Sequence, residues 1–160
     1  MKTFSIPLLL WAFLLAGCQS NPKDFKLVFT IESLNAYKVS IEIDNDKSYR
    51  IQQQNLFFDA HAKKAHINKY EGKLTDEDFK ELTVLINRSR LFEMKNTYGF
   101  IEQENSDDDP LDGLMFHLNY TEGSKSKYIL IHPNPVDTYP KDFSDLINFL
   151  SNHTSTYSKQ

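Results

Sequence analysis

Two groups of residues have the types and spacing that chemistry needs. The first is Cys18, the single cysteine of the 160-residue chain, placed directly after the small residues Ala16 and Gly17. A lone thiol is a soft nucleophile open to alkylation, and it has no intrachain partner for a disulfide. The second is the run of carboxylates Glu102, Glu104, Asp107, Asp108, Asp109 and Asp112, with no Lys or Arg among them. Clustered oxygen ligands suit a hard cation such as Ca²⁺. The same charge suits contact with a basic partner protein. The spacing is not that of an EF-hand, because Pro110 falls where a count from Asn105 requires Gly. A carboxylate pair for glycoside hydrolysis needs a fixed separation of roughly 5–10 Å, and adjacent acids in a polar loop do not provide one. The plainest alternative is a solvated acidic loop that its own charge keeps extended.

Other reactive side chains lack context. The histidines are His61, His66, His117, His132 and His153. None belongs to an H-E-x-x-H motif, and His61 and His66 are spaced wrongly for one helical face. His117 lies between core positions of an expected strand and should face solvent. Neither a phosphate-cradling glycine loop nor a G-x-S-x-G nucleophile turn occurs. The expectation is a protein with no catalytic residues, no metal ligands assigned and no cofactor, apart from lipid on Cys18.

That lipid follows from the N-terminus. Lys2 supplies a positive start, and an apolar run from Phe4 to Leu15 follows. The run is shorter than the roughly 20 residues a membrane span requires, and Pro7 weakens a helix within it. A charged start, a short apolar core and small residues at its end make a secretory signal. Leu15-Ala16-Gly17-Cys18 resembles the lipobox of bacterial lipoproteins. The resemblance implies diacylglyceryl transfer to the thiol, cleavage between Gly17 and Cys18, and acylation of the new amine. Two or three chains exceed what stable anchoring needs, since each buried CH₂ contributes about 0.8 kcal/mol. Gln19 is not the Asp that, in lipoproteins of this kind, retains the protein at the inner membrane. The expected location is the outer membrane, facing the periplasm.

Composition narrows the rest. The chain has a net charge of −4 and no dense basic stripe, Lys63-Lys64 being the longest basic run. Nucleic acid is therefore a poor partner. An envelope protein fits the charge better. Phe and Tyr are plentiful at 12 and 8, and most fall in periodic segments, which points to core use. Residues 1–17 read as the signal peptide and 18–26 as the lipidated cysteine and tether. Residues 27–153 read as one domain and 154–160 as a polar tail. A domain of that size buries enough surface to stand on packing alone.

Several elements must position these residues. Leu27 to Ile31 reads as a strand. Tyr37, Val39, Ile41 and Ile43 alternate with polar residues, Asp44 to Lys47 form a turn, and Tyr49 and Ile51 resume the alternation. That is a half-buried hairpin. An irregular strand is expected around Ile67 and Tyr70. Thr75 and Asp78 approximate a capping box, ahead of Phe79, Leu82, Leu85 and Ile86 at helical spacing. Arg88 and Arg90 suit the helix end. Tyr98 to Gly113 reads as a long polar loop. Leu114, Phe116, Leu118 and Tyr120 alternate again, with a turn at Thr121 to Ser124 and a return strand from Tyr128 to His132. Pro140 suits the first turn of a second helix, whose stripe is Phe143, Leu146, Ile147 and Leu150. The sum is an α+β domain, an antiparallel sheet built from hairpins with two helices packed on one face.

Some of these positions together resemble a bacterial domain-of-unknown-function family found in small lipoproteins and exported proteins. They are Tyr37-x-Val39-x-Ile41 with its Asp/Asn turn and Tyr49, and Gly72-x-Leu74 leading to Phe79-x-x-Leu82 and Phe92. Asp109-Pro110 ahead of the strand Leu114 to Tyr120 completes the set. Where such proteins often carry a cysteine pair before the first hairpin, this chain has Asn35-Ala36. The resemblance implies an α+β domain at the cell envelope and supplies no catalytic residues.

Overall fold

A computed structural model describes residues 24–33, 36–55, 67–99, 114–132 and 139–157. The elements in chain order are β1 (Phe25–Ser33), β2 (Tyr37–Asp44), β3 (Ser48–Asn55), β4 (Ile67–Lys73), α1 (Asp76–Ser89), a 3-10 turn (Leu91–Glu93), β5 (Thr97–Tyr98), β6 (Leu114–Glu122), β7 (Lys125–Ile131) and α2 (Lys141–Tyr157). The strands form one seven-stranded sheet in the order β4-β3-β2-β1-β6-β7-β5. The fold is α+β and dominated by its strands.

Period-two alternation builds the core. Register aligns Ile51 with Ile41, Ile41 with Phe29, Phe29 with Leu118 and Leu118 with Ile129. That row crosses five strands, and every side chain in it is 0% exposed. Burying an aliphatic or aromatic side chain fully is worth about 1.5–3 kcal/mol before entropy is counted, so this row is a main source of cohesion. The β2–β3 turn closes with Lys47 at φ 71, its N–H donating to Asp44 O at 3.1 Å. Gly123 at φ 56 turns β6 into β7, a conformation glycine adopts without a Cβ clash. Gly72 has a different role. It faces Tyr49 across β3–β4, and a Cβ there would stand 2.6 Å from Tyr49 Oη. The tyrosine ring lies over the glycine and covers backbone that has no side chain of its own.

The first helix starts as the sequence implies, whereas α2 begins at Lys141, one residue after Pro140. Thr75 is the N-cap of α1, accepting from the Asp78 N–H at 3.1 Å. Its hydroxyl also donates to Asp78 Oδ2 at 2.8 Å, so the shorter Asp closes the cap through the side chain. Leu82, Leu85 and Ile86 are buried, and Phe79 stacks on Phe25 of β1 with centroids 6.0 Å apart. Arg90 ends α1 in the left-handed region at φ 46. The buried Ser89 ties the helices together, its Oγ lying 2.7 Å from Leu85 O and 3.0 Å from Asp142 O.

Five expectations need correction. The sheet is mostly, not wholly, antiparallel: β5 pairs with β7 in parallel, Thr97 facing Leu130 and Tyr98 facing Ile131. Tyr98 does not open a loop; it is 5% exposed and packs against Tyr139 and Phe143 at 5.4 and 5.7 Å. Two residues are too few to display a period. The tether set at 18–26 ends earlier, because Phe25 and Lys26 belong to β1 and Phe25 is buried. The polar tail set at 154–160 begins too soon, since α2 runs to Tyr157. Thr154 is buried there and satisfies its hydroxyl on Leu150 O at 2.7 Å, a back-bond that hides a polar residue in a helix. The irregular strand near Ile67 is a regular one, paired with β3 from Ile67 through Lys73.

Candidate functional site

The second face of the sheet is polar. Strand alternation that sends Leu27, Phe29, Ile41 and Ile51 inward sends Lys26, Thr30, Glu32, Lys38, Glu42 and Arg50 the other way. Register then sorts these charges into contacts. Lys26 Nζ lies 2.7 Å from Glu42 Oε1, Arg50 Nη1 3.8 Å from the same oxygen, and Arg50 Nε 2.7 Å from Glu71 Oε1. Such half-exposed pairs each contribute about 0–1 kcal/mol. Their effect is to hold charges in a fixed pattern.

At the other end of this face four side chains from four adjacent strands meet. Lys38 of β2 is 3.0 Å from Glu32 of β1. Glu32 Oε2 is 3.9 Å from Nε2 of His117 on β6, and His117 Nδ1 is 2.6 Å from Tyr128 Oη on β7. The tautomer with the proton on Nε2 lets Nδ1 accept from the phenol. Nε2 is buried with no hydrogen-bond partner among the described residues, and 3.9 Å to a carboxylate is an electrostatic separation, not a hydrogen bond. The expectation that His117 faces solvent is met only in part: it lies on the outward face, yet its side chain is 25% exposed. Tyr128, 49% exposed, is the outermost member.

His117 is held below the ordinary imidazole value, chiefly by burial. Glu32 pulls the other way, while Lys38 and His132 add to the lowering. With the folded value depressed, the unfolded chain binds more protons between the two values. Stability should therefore fall as pH drops below about 6.5 and level off under the folded value. His117→Gln should flatten that part of a plot of urea midpoint against pH. An unchanged slope in the variant would remove His117 as its source.

His132, directly after β7, is near enough to act on His117, and the remaining histidines are apart from this row or outside the described residues. His153 of α2 stacks on Phe149 at 3.9 Å, with Nε2 3.4 Å from Asp78 Oδ1. His61 and His66 lie outside the described residues, as do Gly17, Cys18, Glu102, Glu104, Asp107, Asp108, Asp109 and Asp112. No cluster of three or more His, Cys, Asp or Glu able to hold a metal occurs among the described residues.

Open depressions mark the described surface. One of about 160 Å³ lies beside Arg90, Phe92, Tyr120 and Glu122. There burial and Glu122 hold the Tyr120 phenol well above its usual value. A second, about 390 Å³, lies over the helix pair between Glu81, Asp145, Asn152 and His153. A third, about 170 Å³, sits among Glu42, Tyr49, Arg50 and Glu71. Each has charged residues at its rim.

The row Lys38–Glu32–His117–Tyr128 was not readable from spacing. His117 stood out as a titratable residue in a strand, but its partners lie 11 and 85 positions away in the chain. The signal available was parity: alternate residues of each strand share a face. No protein-family model matches the chain, and comparison with curated proteins returns no match.

Proposed function

We propose that this chain is an envelope lipoprotein of the binding type, tethered through lipid on Cys18, that engages a periplasmic protein through the polar face of its sheet. Outer-membrane placement and an immunity or inhibitor role, masking a toxic or hydrolytic partner, are the specific form of the proposal. The observation that carries it is the pattern of fixed charge on that face, from Arg50 and Glu42 to Glu32, His117 and the exposed Tyr128. An exposed aromatic beside oriented charges is the composition of a protein contact. The proposal includes both helices covering the opposite face. The contacts of Phe79 with Phe25 and of Phe92 with Tyr120 at 5.5 Å favour that arrangement. The six carboxylates from Glu102 to Asp112 join it on sequence grounds alone.

The test is affinity capture by the full chain from envelope extract, beside Tyr128→Ala and Arg50→Glu. One protein should be recovered in near-equal amount by the wild-type chain and lost about tenfold or more with Tyr128→Ala, as for an interface anchor. Recovery that is equal for all three chains, or no recovery at all, would defeat the proposal.

A further inference from the structure

The sheet ends on β4, and among the described residues no other strand pairs with its outer edge. The opposite end is different, because β5 spans only two residues. An exposed seven-residue edge presents unpaired backbone groups and is a template for strand addition. Lysines on such edges normally guard against it, and β4 carries Lys69 and Lys73. It also carries Glu71 between them, which a pure guard does not require.

We propose that two copies of this chain pair edge to edge through β4, antiparallel and centred on Tyr70, joining their sheets into one. A two-fold axis between antiparallel strands places one residue opposite its own copy, so the register is fixed by naming that residue. Centring on Lys69 sets ammonium against ammonium. Centring on Glu71 sets carboxylate against carboxylate and Lys69 against Lys73. Centring on Asn68 or Gly72 leaves part of the strand without a partner. Centring on Tyr70 sets Lys69 opposite Glu71 of the second copy, twice by symmetry, and Tyr70 is the midpoint of Ile67–Lys73, so all seven residues pair. Opposite charges directly across a strand pair attract, and like charges there repel.

The remaining positions fit the same register. Ile67, 42% exposed, falls opposite Lys73, whose aliphatic stem can cover it while the ammonium reaches water. Lys69 forms no ion pair among the described residues. Glu71 is 62% exposed even with Arg50 beside it, which leaves a carboxylate face for the second lysine. Only the Tyr70-centred register pairs all seven residues while setting opposite charges across from each other, and like-charge contacts penalise the registers centred on Lys69 and Glu71.

Sedimentation equilibrium of the full chain in density-matched detergent tests it. At about 100 µM, where a weak specific dimer is populated, the wild-type chain should sediment as a dimer. Lys69→Glu, at an exposed site, should raise the dissociation constant about tenfold or more with an unchanged near-ultraviolet spectrum. Lys69→Glu with Glu71→Lys should bring the dimer back. Carbodiimide coupling of mixed light and heavy isotopic chains should give a Lys69–Glu71 isopeptide bearing both isotopes. A monomeric wild type, a dimer indifferent to Lys69→Glu, or a swap that fails to restore pairing would each overturn the proposal.

Discussion

Phe143→Ala should lower the stability of the domain by about 3–5 kcal/mol, the range for removing a buried aromatic ring. Phe143 is 0% exposed and touches two other rings, Tyr98 at 5.7 Å and Tyr139 at 6.0 Å. Those contacts join α2 to β5 and to Tyr139, two residues ahead of the helix. The hole left by the ring cannot close unless α2 shifts, and α2 is held by Ser89 at its first turn. Small domains have about 5–15 kcal/mol in total, so the variant should be partly unfolded at modest temperature. Urea unfolding gives the measurement: the midpoint should fall while the slope stays constant. Phe143→Leu should lose less, because it keeps more of the volume. Phe92→Ala is the control, since Phe92 is 37% exposed. A loss at Phe143 no larger than at Phe92 would contradict the burial described.

The second large effect concerns location. Under the proposed lipidation, Cys18→Ala should abolish incorporation of labelled fatty acid and move the protein from the membrane fraction to the soluble one. Two or three acyl chains bind a bilayer far more strongly than the marginal hold of one, at about 0.8 kcal/mol per CH₂. The variant also loses the nucleophile that cleavage follows, so an uncut leader is expected. Its apolar run is shorter than the roughly 20 residues a span needs and should hold poorly. Incorporation of fatty acid by the alanine variant would refute lipid on Cys18. Membrane association in the variant with no fatty acid would mean that the leader, not the lipid, anchors the chain.

Much of the fold was legible because its rules are local. Alternation of Tyr37, Val39, Ile41 and Ile43 requires only that successive side chains of a strand point opposite ways. The stripe Leu82, Leu85, Ile86 and the cap at Thr75 need one turn of helix and nothing beyond it. Even the face of His117 followed from parity. Thr154 and Tyr98 depart from what residue type and spacing imply, for opposite reasons. Thr154 is polar by type but satisfied within its own helix, and Tyr98 lies in a strand too short to show a pattern.

By itself the sequence determined where most strands and both helices form, which side of each is apolar, and that one cysteine stands where the lipobox pattern requires it. Strand order, register and the parallel β5–β7 pair were decided only in the tertiary structure. So was the meeting of Lys38, Glu32, His117 and Tyr128, which come from two hairpins and the central strand. The reason is physical. Side-chain direction is a property of neighbouring residues, whereas register is set by which distant strands bury their apolar rows together, and a row of polar side chains on the far face is carried along by that choice.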